Sequence, residues 1–169
     1  MKKNILIIVC NLLVLNNVFC QKFAYVDSDY ILSKMPEFSQ AQSKIDEISK
    51  EWQKEIEARY AEVDQMYKKY QEEKILLTNE MQIKREEAII KKETEVNSLQ
   101  QKYFGPEGSL NLKRQELITP IQDKIYDAIQ QLASKSKYQI IFDSSSELIM
   151  LYKNNNLDKS DKVLQILGY

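Results

Sequence analysis

Residues 36–70 read PEFSQAQSKIDEISKEWQKEIEARYAEVDQMYKKY, and the spacing of their apolar residues decides the fold. From Phe38 these fall at Ala41, Ile45, Ile48, Trp52, Ile56, Tyr60, Val63, Tyr67 and Tyr70, at intervals of 3, 4, 3, 4, 4, 4, 3, 4 and 3. Alternating threes and fours are the seam of a coiled coil, and the run of fours from Trp52 to Tyr60 is a stutter that locally unwinds the supercoil. Pro36 and Glu37 open the helix, because proline forfeits no hydrogen bond at the first helical position and a carboxylate suits the positive end of the dipole. The arm seam is predicted as Ala41, Ile45, Ile48, Trp52, Ile56 and Val63.

Towards the C-terminus the seam weakens over Leu76 to Asn79 and resumes through Met81, Ala88, Val96, Leu99 and Tyr103. Thr78 or Asn79 can cap a second helix, which puts a hairpin tip near 76–82; the alternative is one uninterrupted helix from 37 to 104. An arm of about 40 residues is about 60 Å long. Gly105-Pro106-Glu107-Gly108 predicts a break at 105–108 with a flexible junction. Helical spacing returns through Leu110, Leu117, Ile121, Ile125, Ala128 and Leu132, and the apolar phase runs through Pro120, so a kink is expected there and not a new element.

The two ends of the chain change character. Phe23-Ala24-Tyr25-Val26 reads as a strand, followed by Asp27 and Ser28 as caps for a brief helix. Tyr138 to Phe142 and Leu148 to Tyr152 read as two more strands, joined by a hairpin turn over 143–147. Asp158 can cap a last helix that ends at Gly168. The helical section 37–136 is thus an insertion in a β-body made of 21–36 and 137–169. About fifty residues rarely bury enough surface to fold alone, so strands shared between subunits are expected, with Phe23, Tyr25, Val26, Ile140, Phe142, Ile149 and Leu151 forming the oligomeric body. The fold class is α+β, mostly α.

Residues 1–20 read as a cleavable signal peptide: Lys2 and Lys3, then a stretch from Ile5 to Phe19 interrupted by Asn11, Asn16 and Asn17, then Val18 and Cys20 at the −3 and −1 positions. The expected location is the periplasm. Asn17-Val18-Phe19 does not make a lipobox, so lipidation at Cys20 is not expected. Both cysteines lie in this leader, which leaves no disulfide framework. Lys+Arg number 24 against 25 Asp+Glu; without Lys2 and Lys3 the balance is 22 against 25, or −3. That charge argues against nucleic acid as a partner.

The Phe23-Ala24-Tyr25-Val26-Asp27 start, the heptad region, Gln115-Glu116-Leu117 with Pro120-Ile121-Gln122-Asp123-Lys124-Ile125, the strand Tyr138 to Asp143 and the helix Asp158 to Leu167 together resemble the Skp (OmpH-like) family of periplasmic chaperones. The resemblance spans the whole chain after the leader. It implies a jellyfish-shaped homotrimer with a central β-body and helical arms around a cavity that takes an unfolded outer-membrane protein. Familiar members are strongly basic and this chain is not, which weighs against carrying over lipopolysaccharide or membrane-surface binding.

Chemistry is sparse. There is no histidine for a triad or an imidazole metal site, and pairs such as Glu72-Glu73 and Glu86-Glu87 fit a solvated helix face. No catalytic residue, metal or cofactor is expected, and the protein is read as a non-enzyme. Tyr60, Met66, Tyr67, Tyr70 and Met81 are the candidate client contacts, because aromatic and methionine side chains beside a seam offer adaptable apolar surface. Two functions share these features: an ATP-independent holdase for unfolded outer-membrane β-barrels, and a structural coiled-coil spacer or scaffold of the envelope.

Overall fold

The computed structural model describes residues 22–145 and 150–169; the predicted leader, and Leu148 and Ile149 of the predicted third strand, lie outside them. In order, the elements are β1 (Phe23–Val26), α1 (Ser28–Lys34), α2 (Pro36–Glu73), α3 (Asn79–Phe104), α4 (Ser109–Ser136), β2 (Ile140–Asp143) and α5 (Ser160–Leu167), with 3₁₀ turns at Lys74–Leu76 and Asn155–Leu157. Of the described residues 78% are helical, with a long helical hairpin and one small strand pair. It forms two compact units: residues up to Lys34 together with Ile125–Tyr169, and Met35–Lys124.

In the strand unit, β1 and β2 pair in parallel, with Phe23 opposite Ile140 and Val26 opposite Asp143. The other edge of β1 is taken by the C-terminal segment: Tyr25 bridges to Asp158, and the Lys159 amide donates to the Tyr25 carbonyl at 2.9 Å. The expected hairpin of 138–142 with 148–152 is corrected over 150–152, where the chain joins no ladder and Leu151 is 96% exposed; Leu148 and Ile149 lie outside the described residues. The chain leaves β2 through a polar clasp instead. Ser28 donates to Asp143 Oδ2 at 2.6 Å, Ser145 donates to Asp143 Oδ1 at 2.8 Å, and the Ser144 amide donates to the Val26 carbonyl.

The caps follow the chemistry of the sequence. Asp27 Oδ1 accepts the Tyr30 amide at the start of α1, and Asp158 Oδ1 accepts the Ser160 amide at the start of α5. Gly168, at φ 93°, closes α5 in the left-handed conformation that glycine adopts without a Cβ clash. Ile31 and Val163 are wholly buried, as are Val26 and Tyr25 within a few per cent. Ile125, Ala128 and Leu132, at the C-terminal end of α4, also belong to this unit and are buried. Their side chains supply core that the two chain ends alone lack.

In the hairpin unit, α2 runs 38 residues, roughly 57 Å at 1.5 Å per residue. It turns through Lys74–Leu76, and Thr78 caps α3 by accepting the Met81 amide. The reversal lies at 74–78, at the early side of the predicted tip, and the uninterrupted helix is excluded. α3 stops at Phe104, while α4 passes through Pro120 as one helix.

The junction between α3 and α4 is closed by hydrogen bonds of its own. The Gly105 amide donates to Gln101 O, the Gly108 amide to Gly105 O and the Asn111 side-chain amide to Pro106 O, all at 2.8 to 3.0 Å. A Cβ on Gly108 would lie 2.7 Å from Tyr103 O and 2.8 Å from Gly105 N, both rigid backbone atoms. Gly108→Ala should therefore cost about 2 kcal/mol or more of stability, since the turn itself must open. A urea titration followed by circular dichroism checks this, and an unchanged midpoint would show that the corner relaxes freely.

Candidate functional site

The hairpin buries Ile56 and Tyr70 of α2 and Ile89 and Val96 of α3. At its base Trp52 stacks on Tyr103, with centroids 4.5 Å apart and rings 9° from parallel, and the Tyr103 hydroxyl donates to Glu55 at 2.9 Å. Two features of the predicted seam are corrected. On α2 the seam passes through Ile56, Val63 and Tyr70, with Met66 half-buried beside it, and Tyr67 stands outside it, 53% exposed. On α3 it follows Ile89, Lys92, Val96, Leu99 and Tyr103, while Ala88 and Met81 are exposed. Lys92 sits in the seam because its ammonium pairs with Glu62 across the hairpin at 2.8 Å. An apolar-only pattern could not find it.

The two edges of the seam differ. On one edge a groove is lined by Glu55, Arg59, Lys92, Glu95, Val96 and Leu99. Lys92 closes on Glu62 there, and the pair, with its hydrogen bond from Lys92, holds the Glu62 carboxyl below its ordinary range. The other edge carries Tyr60 and Tyr67, seven residues apart on α2, with Ile83, Ile90 and Phe104, multiples of seven apart on α3. Heptad spacing keeps each set on one side. All five are exposed, Ile90 at 61%. Two concavities run along this edge, one containing Tyr60 and Phe104 and the other Tyr67 and Ile90.

Hydrogen bonds across the seam hold the Tyr60 ring in place. The Tyr60 hydroxyl lies 2.6 Å from Asn97 Oδ1 and 3.0 Å from Gln100 Oε1, so its ring is tethered at the edge with about a third of its surface open. Beyond them, at the turn, Ile75 and Leu76 are 94% and 84% exposed.

Of the predicted client contacts, Tyr60 and Tyr67 lie on the apolar edge, and Met81 is half exposed close to the turn. Met66 is seven residues from Arg59 and so falls on the charged edge, half-buried. Tyr70 is corrected: it is 4% exposed, and its hydroxyl donates to Glu86, so it packs the hairpin and leaves almost no surface for a client. Phe104, Ile90 and Ile83, exposed along the same edge, were not among the predicted residues, although the sevenfold spacing 83, 90, 97, 104 was legible. Of the predicted body residues, Tyr25 and Val26 are core, while Phe23, Ile140 and Phe142 are each about 40% exposed or more; Ile149 lies outside the described residues.

The hydrogen bond to Glu86, with burial second, pushes the Tyr70 phenol up to about 12 from its ordinary 10. A raised folded pKa means that this contribution is intact below pH 10 and is lost as pH climbs towards 12. An ultraviolet titration of tyrosinate should contain one late step near 12 that Tyr70→Phe removes; a titration unchanged by the substitution would refute the pairing.

Among the described residues there is no group of His, Cys, Asp and Glu placed to hold a metal, and no helix long and apolar enough to cross a membrane. The geometry is that of a two-helix arm with one apolar edge, inserted between two paired strands. The family described as outer membrane protein (OmpH-like) matches residues 22–167, and the chain belongs to that family. The fold is shared with a solved candidate outer membrane chaperone (OmpH-like) from Caulobacter crescentus CB15, at a TM-score of 0.69 and 15% identity, covering 87% of this chain and 83% of that one. No curated protein matches the sequence.

Proposed function

We propose that this protein is an ATP-independent holdase of the periplasm that keeps unfolded outer-membrane β-barrel proteins from aggregating. Family membership and the shared fold support a chaperone role in general. The observation that carries the finer reading is the one-sided hairpin: Tyr60, Tyr67, Ile90 and Phe104 stay open to solvent along one edge while ion pairs cover the other. An arm serving only as a spacer gains nothing from an open apolar edge, whereas a holdase needs many weak apolar contacts that fix no structure in the client.

The working unit is a homotrimer built on the strand units. A two-stranded sheet is marginal alone, and Phe23, Ile140 and Phe142 are exposed on this one. The apolar edges are then the surfaces that the arms offer a client. The mechanism is sequestration, with no catalytic step, nucleotide or cofactor, and with the acidic chain giving no reason for binding nucleic acid or lipopolysaccharide.

The test is dilution of a urea-unfolded outer-membrane β-barrel into buffer with the purified protein, reading aggregation by light scattering and the mass of the complex by multi-angle scattering. Suppression without nucleotide, at one oligomer per client, is expected. A well-formed oligomer that suppresses nothing would overturn the reading in favour of a scaffold.

A further inference from the structure

The concavity between Tyr60 and Phe104 has the composition of a cation site, and we infer that it takes an arginine side chain of the bound non-native polypeptide, a reading that rests on the holding role proposed above. Its floor is the buried Ile56, and its walls are the two partly open aromatic rings. Its rim is made of Gln53, Glu57 and Gln100. Gln53 Nε2 donates to Glu57 Oε1 at 3.2 Å, one helical turn away, which steadies the carboxylate beside the rings. The single phenolic proton of Tyr60 is shared between Asn97 Oδ1 and Gln100 Oε1, so one of those oxygens is left to accept from elsewhere. The rim therefore offers acceptors in the Glu57 carboxylate and in an amide oxygen. No lysine or arginine lines it, and among the described residues Glu57 makes no ion pair.

The second concavity of the same edge shows what such a surface accepts. There the chain supplies its own cation: Lys74 Nζ lies 5.3 Å from the centroid of the Tyr70 ring, whose hydroxyl donates to Glu86. The first concavity repeats the rings and the carboxylate without the cation. A guanidinium suits it better than an ammonium, because it is planar, stacks on aromatic faces, is weakly hydrated and carries five donors for the acceptors of the rim.

The experiment is a titration of the purified full-length protein with N-acetyl-argininamide, N-acetyl-lysinamide and N-acetyl-leucinamide, following the side-chain amide signals of Gln53 and Gln100 by nuclear magnetic resonance. Saturable shifts are expected with the arginine amide, at about threefold or more lower concentration than with the lysine amide. The leucine amide should give none. Glu57 is exposed and its replacement isosteric, so Glu57→Gln should weaken arginine binding about threefold or more with the fold intact. Phe104→Leu, which keeps apolar bulk and removes the ring, should do the same. Equal response to all the amides, or arginine binding untouched by both substitutions, overturns the assignment. Client aggregation is read separately. Holding without any arginine response sinks this subsite alone, and arginine binding without holding supports the subsite while sinking the chaperone reading.

Discussion

Protein carrying Tyr67→Ser, Ile90→Ser and Phe104→Ser together is expected to lose holding of unfolded β-barrels by at least about tenfold while keeping its helical content and its oligomer mass. Burying a large apolar side chain fully is worth about 1.5–3 kcal/mol, and these residues still have between a third and two thirds of their surface left to bury. Each thus offers a client roughly 1 kcal/mol, and about 3 kcal/mol together exceeds a hundredfold if every contact is used at once. A client that samples many contacts uses only part of it, hence the lower bound. The fold should survive because the hairpin is closed by Ile56, Tyr70, Ile89 and Val96, which are untouched. Met66→Ser, on the charged edge, is the control and should leave holding nearly unchanged. If the triple variant held clients as well as the wild type, the apolar edge would not be the contact surface.

Val26→Asp is expected to have the largest effect on stability. Val26 is 1% exposed at the end of β1, where its carbonyl accepts the Ser144 amide and its neighbour Asp27 donates its amide to Ser160. The substitution removes about 2 kcal/mol of apolar burial and places a carboxylate beside Asp143, its partner across the ladder. Asp143 is already managed closely: burial pushes its carboxyl up, and the bonds from Ser28 and Ser145 outweigh that and hold it below its ordinary range. A second carboxylate has no such donors. A total of about 4 kcal/mol lowers the melting temperature by about 8–16 °C for a chain of this size, and the oligomer should dissociate with it. Thermal melts by circular dichroism with size-exclusion chromatography read both, and a melt within a degree or two of the wild type would remove Val26 from the core.

Much of this architecture was legible because it depends on local rules. Proline at the first turn, threonine before a new apolar phase and paired glycines after an aromatic pair each act within a few residues, and Pro36, Thr78 and Gly105 to Gly108 stand where those rules put them. The hairpin edge was half legible. Tyr60 and Tyr67 were visible as aromatic residues near a seam, but Tyr67 was counted within the seam, because Met66 and Tyr67 fit the three-four rhythm equally well until the partner helix is present. The phase of α3 was hidden for a different reason. Its seam admits Lys92, and a charged residue enters a seam only where a carboxylate such as Glu62 meets it from the other helix.

By itself the sequence determined the long helices, the hairpin and the two chain ends that return to one strand unit, since each follows from periodicity and capping that act along the chain, and the order of these segments carried the family resemblance. Only the tertiary structure decided that β1 and β2 run parallel, that residues 158–159 and not 150–152 lie beside β1, and that one edge of the hairpin is apolar and the other charged. Those are pairings between segments far apart in the chain, and a residue's own neighbours carry no information about which distant group will satisfy its backbone or its charge.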